Sequence, residues 1–127
     1  MSLSNENNKF SLVLNLGDVN TTTTFMALVT ERKLKITKFL VGDGTGIAAS
    51  DTNYVVVALK NGSTLVADYS TKDTGGDGAL VANTPAEGTI ESGEDTQAAS
   101  SVLTLVATIA GSAALDKLFV QVDGFYL

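Results

Sequence analysis

Three places in the 127-residue chain bring together residue types able to do chemistry. Gly42-Asp43-Gly44-Thr45-Gly46 has the glycine density of a loop whose backbone amides cradle a phosphate. It lacks the Gly-Lys-Ser/Thr ending of a mononucleotide loop and the glycine spacing of a dinucleotide one, and no helix-forming segment follows it. It reads as a connection between strands. Asp73 and Asp77, followed by Gly78, imitate the start of a calcium loop, but Gly75 and Thr84 stand where further oxygen ligands are required. Only opportunistic calcium binding by loop carboxylates stays open there. Glu91 with Glu94 and Asp95 offers paired carboxylates of the kind used in acid–base hydrolysis. In an acidic chain with many loop carboxylates, solvated charge is the simpler account.

The chain contains no His and no Cys. That removes the commonest general base, the usual transition-metal ligands and the thiolate nucleophile together. There is no Gly-x-Ser-x-Gly elbow, and a Ser-His triad is unavailable. The expectation is a protein that binds and packs, not an enzyme, with no cofactor and no metal.

Charge gives the one positive signal. Fourteen acidic residues against eight basic ones leave a net charge of −6, which repels nucleic acid over most of the surface. Against that background Glu31-Arg-Lys-Leu-Lys-Ile-Thr-Lys38 holds half of all the basic residues. The stretch suits either docking on an acidic partner or a lysine-rich strand edge that discourages unwanted pairing. No aromatic residues are interleaved in it for base stacking, so no nucleic-acid partner is expected. Apolar runs such as Tyr54–Leu59 fall far short of the roughly 20 residues of a membrane span, and no membrane association is expected. Met1 to Lys9 has neither the basic start nor the apolar centre of a secretory signal, which points to synthesis in a cytoplasm.

The elements that must carry these residues read as strands. Residues 1–8 form a polar arm, either a frayed end or a docking segment, and residues 9–127 form a single domain. Phe10, Leu12, Leu14 and Leu16 alternate with Ser11, Val13 and Asn15 until Gly17-Asp18 ends the strand. The β-branched run from Val19 to Val29 predicts a second strand. A third runs from Lys33 to Val41, where the apolar parity switches from Leu34 and Ile36 to Phe39 and Val41, so a bulge is predicted near Thr37-Lys38. Tyr54–Leu59 and Leu65–Tyr69 predict a hairpin about Asn61-Gly62. Residues 71–97 read as loose, with short strands at Ala79–Val81 and Gly88–Glu91. Strands are predicted at Val102–Ile109 and Leu118–Leu127, and single helical turns at Thr96–Ser101 and Ser112–Lys117. About seven or eight strands at this turn spacing predict an all-β antiparallel sandwich of jelly-roll or immunoglobulin-like topology.

The order of elements, with Tyr54-Val-Val-Val-Ala-Leu-Lys-Asn-Gly-Ser-Thr-Leu-Val66, a loose acidic loop, Ser101-Val-Leu-Thr-Leu-Val-Ala-Thr108 and Leu118-Phe-Val-Gln-Val-Asp-Gly-Phe-Tyr126, resembles the small β-sandwich decoration, or cement, proteins of tailed-bacteriophage heads. The resemblance runs over residues 9–127 and rests on pattern and composition. Phage fibre and adhesin domains share such strands, so a receptor- or glycan-binding domain of a fibre is the alternative. The resemblance implies a virion protein on the outside of an expanded shell that clamps capsomers together. Its partner would be the major capsid protein, and it would act as a homo-trimer at three-fold positions or a dimer at two-fold ones. The arm would add a strand to a capsid edge. The candidate contacts are then Ser2, Leu3 and Asn5 in the arm, Lys9 and Phe10 at its root, and Arg32, Lys33, Lys35 and Lys38 in the basic stretch.

Overall fold

The computed structural model describes residues 8–127. Its organising element is the hairpin of β4 (Val55–Asn61) and β5 (Thr64–Ser70), in which Asn61 faces Thr64 across the two residues Gly62 and Ser63. Gly62 takes φ +61°, and a glycine of positive φ at the first central position suits the twist of a two-residue hairpin. The turn therefore lies one residue later than the Asn61-Gly62 pair predicts. Asn61 ends β4 instead, and its side-chain amide donates to Gln97 Oε1 at 2.8 Å.

Outward from this hairpin the chain pairs with itself in nested fashion. β3 (Leu34–Gly42) meets the two-residue strands β6 (Ala86–Glu87) and β8 (Thr96–Gln97), β2 (Thr23–Val29) meets β9 (Val102–Ile109), and β1 (Lys9–Val19) meets β10 (Leu115–Tyr126). Two further contacts, β10 on β3 and β9 on β4, roll the ribbon into two sheets. One sheet has the order β1-β10-β3, with β6 and β8 both along the far side of β3; the other is β2-β9-β4-β5 with β7 (Thr89–Ile90). Each sheet has five strands, and all pairings are antiparallel. This nested, rolled order is a jelly roll. An immunoglobulin-like sandwich keeps its first two strands in one sheet, whereas here β1 and β2 lie in different ones.

Ten strands form among the described residues where seven or eight were expected: β7 lies within the predicted Gly88–Glu91 strand, β6 and β8 are additional, and the predicted Ala79–Val81 strand is reduced to isolated bridges at Leu80 and Val81. No α-helix occurs among the described residues. The turns read as helical are a strand and a bend: Thr96–Gln97 is β8, and β10 already begins at Leu115. Leu115 and Leu118, three apart like neighbours on a helix face, both point into the core because Lys117, at φ +51°, bulges between them. β1 likewise runs through Gly17-Asp18 to buried Val19, and Asn20 to Thr22 make the turn before β2.

The predicted bulge in β3 is present. Asp123 of β10 faces Lys38 and Gly124 faces Ile36, leaving Thr37 as the extra residue. Leu34 and Ile36 before it, and Phe39 and Val41 after it, are all fully buried. They pack with Val57, Leu59, Leu103, Leu105, Leu118 and Val120 in one core between the sheets, each such side chain contributing roughly 1.5–3 kcal/mol by its burial.

Candidate functional site

Alternation along β1, β10 and β3 fixes what their outer face presents. On β1, Lys9, Ser11, Val13 and Asn15 are exposed, while on β10 Leu118, Val120, Val122 and Gly124 are buried and the residues between them face out. Register then sets the rows: Lys9, Phe125 and Lys35 lie side by side, and so do Ser11, Asp123 and Lys38. Asp123 is held in place by the Ser11 hydroxyl, which donates to its Oδ1 at 2.6 Å, and by the Gln121 amide at 3.0 and 3.1 Å. A shallow groove runs across these rows between Lys9, Lys38 and Phe125.

At the same end of the sheet, Phe10 and Tyr126 pack ring against ring, with centroids 5.4 Å apart and planes tilted by 43°. The Arg32 guanidinium lies 4.7 Å from the Tyr126 ring centroid, a cation over an aromatic face. The backbone amide of Leu127 donates to the Lys33 carbonyl at 2.9 Å, which ties the end of β10 to the loop that carries Arg32. Gly124 makes room for this packing, since a Cβ there would come within 2.8 Å of the Phe10 ring.

The structure therefore brings Lys9 and Phe10 to one corner with Arg32, Lys33, Lys35 and Lys38. The backbone of Lys33 is at that corner and its side chain is exposed. Among the described residues only Lys35 of this group is in a salt bridge, with Asp95 at 3.6 Å. Both partners are well exposed, so the pair contributes little to stability. Ser2, Leu3 and Asn5 lie outside the described residues. The sequence reading did not include Phe125, Tyr126 and Asp123 in the site. Their presence follows from the position of β10 between β1 and β3, which no local pattern reveals.

The other chemically suggestive places are occupied by their own hydrogen bonds. Asp43 is buried, and its carboxylate accepts from the amides of Gly46 at 2.7 Å, Thr45 at 3.1 Å and Asp116 at 2.6 Å. The glycine-rich loop thus wraps its own carboxylate where a phosphate would have to sit. Asp77 accepts from the Ser70 amide at 2.8 Å and the Thr89 hydroxyl at 3.2 Å, joining β5 to β7. Asp51 accepts from the amide and hydroxyl of Thr74, hydrogen bonds that hold its carboxyl below the usual range. Burial, followed by the charges of Asp77 and Glu91, pushes Asp68 up. No group of three or more potential metal-ligating His, Cys, Asp or Glu side chains occurs among the described residues.

Comparison of the chain with protein-family models, with curated proteins and with solved structures finds no match.

Proposed function

We propose that the protein is a structural binding module, a decoration protein that seats its basic corner on the acidic outer surface of a phage capsid and ties neighbouring capsomers together. A jelly roll alone argues for no activity, because lectins and cupins use it as well as capsid proteins. The observation that carries the reading is a clustering of basic residues. Lys9, Arg32, Lys33, Lys35 and Lys38 are five of the eight basic residues of a chain of net charge −6, and the fold gathers them at one corner around Phe125 and Tyr126.

Such a corner steers an acidic surface into one orientation and repels the rest of the acidic molecule from it. Phe125, half-buried between Lys9 and Lys35, supplies apolar area at the centre of the contact. Asn8, the first described residue, enters β1 at this corner. Among the described residues β1 is hydrogen-bonded only to β10, so its other edge offers backbone donors and acceptors to an added strand. Repetition over a symmetric shell makes weak single contacts effective by avidity.

The test is to mix purified protein with expanded and with unexpanded shells and sediment them. Selective co-sedimentation with expanded shells is expected, and equal indifference to both would remove the capsid from the proposal. A glycan-binding role gains nothing from the tyrosines. Arg32 covers Tyr126, the Lys72 ammonium lies 5.6 Å from the Tyr54 ring centroid, and Tyr69 is buried with its hydroxyl donating to the carbonyls of Gly78 and Ala79.

A further inference from the structure

We infer that the free edge of β2 docks a second copy of this chain, the two β2 strands pairing antiparallel about a two-fold axis at Met26. β2 is seven residues long and, among the described residues, hydrogen-bonds only to β9, which leaves its other side open there. Sheet edges are ordinarily guarded by charge, by proline or by brevity. Brevity guards the opposite edges, where β6, β7 and β8 are two residues each, and β1 carries Lys9 and Asp18. β2 has none of these devices. From Val19 to Thr30 there is no charged residue and no proline, and the strand's one irregularity is an extra residue at Ala27.

The open edge is also apolar on its outer face. Met26 is 71% exposed and Val29 55%, and Val102, which faces Val29 across the ladder, is 43% exposed. A monomer gains nothing from holding these side chains in water.

Charge selects the occupant. A two-fold contact sets each surface against itself, so every charged residue near the axis meets its own like charge. With a net charge of −6, most faces of this molecule repel their own copy. The stretch from Val19 to Thr30 carries no charge to repel, and an acidic or basic partner finds nothing there to recognise. Pairing about Met26 sets Met26 beside its own copy and joins two five-stranded sheets into one across the axis. The contact is separate from the basic corner and is measured on the isolated protein, so its failure and the failure of capsid binding are distinguishable.

Sedimentation of the purified chain over a concentration series is expected to show a monomer–dimer equilibrium. Met26→Lys, at an exposed position, should leave the melting temperature unchanged at concentrations where both proteins are monomeric, and raise the dimer dissociation constant by at least about tenfold. The chain has no cysteine, so Met26→Cys introduces its only thiol. Facing Cα atoms of an antiparallel pair lie about 4.5–5.5 Å apart, within reach of a disulfide. Under mild oxidation this variant should give a covalent dimer, while Ser63→Cys at the hairpin tip should not. A monomer at every concentration, a trimer, a dimer indifferent to Met26→Lys, or equal cross-linking of the two cysteine variants would each overturn the inference.

Discussion

Asp43 and Asp116 are joined by a 2.6 Å hydrogen bond from the backbone amide of Asp116 to Asp43 Oδ1, across 73 residues of chain. It links the end of β3 to the start of β10, and the amide of Gly44 returns a bond to the Asp116 carbonyl at 2.6 Å. Asp43→Ala would leave the part-buried amides of Gly46 and Asp116 without their acceptor. The expected loss is about 2–4 kcal/mol, read as a melting temperature lower by several degrees; an unchanged melting temperature would mean that water replaces the carboxylate at no cost.

Asp18 lies beside Asp116, its Oδ1 accepting from the Lys117 amide at 2.9 Å. The amide of Lys117, then the hydrogen bond with Asp116, holds Asp18 below the usual range, while that hydrogen bond with Asp18 and the charges of Asp18 and Asp43 push Asp116 up. A raised pKa contributes stability that is full in acid and fades as pH rises through the folded value. Asp116→Asn, which imitates the protonated side chain, should therefore raise the melting temperature at neutral pH. The gain should shrink towards zero below about pH 4. A gain independent of pH would show that the Asp18 and Asp116 charges do not interact.

Gly88 lies between β6 in one sheet and β7 in the other, and its amide donates to the Phe39 carbonyl at 2.8 Å. A Cβ at this position would come within 2.5 Å of the Asp68 carbonyl oxygen and 2.8 Å of the Phe39 ring. Gly88→Ala should destabilise by roughly 1–3 kcal/mol through overpacking. Chemical denaturation would detect the loss, and a midpoint equal to that of the parent chain would contradict the close approach.

Replacing Arg32, Lys33, Lys35 and Lys38 with Gln should weaken binding to shells most strongly at low ionic strength, where screening is least. The parent affinity should fall as salt is added and that of the variant should be nearly flat. Equal salt responses would take the basic corner out of the interface.

Much of the sandwich was legible because burial on a pleated sheet repeats every two residues. The switch of apolar parity around Thr37 could be read as a bulge without knowing the partner strand. The single helical turns expected at Thr96–Ser101 and Ser112–Lys117 do not form, because β8 and the start of β10 pair with β3 and β1, partners that no local pattern shows. β6 and β8 are too short to show any period, and they exist because β3 offers them partners. The basic residues of the corner were visible as composition. Their meeting with Phe125 and Tyr126 was not, since it depends on pairing the first strand with the last. The exposure of Met26 was equally hidden, because an alternating strand looks the same at a sheet edge as near one.

The nesting of strands around the β4–β5 hairpin has a consequence for synthesis. The innermost pair can form while the chain is still growing, and each later pair then closes a shorter effective loop than it would alone. β10, made after both β1 and β3, is the strand that lies between them. Until Leu115–Tyr126 leaves the ribosome, the sheet of the basic corner has a gap at its centre, and a nascent chain halted before that point presents two unpaired strand edges to the cell.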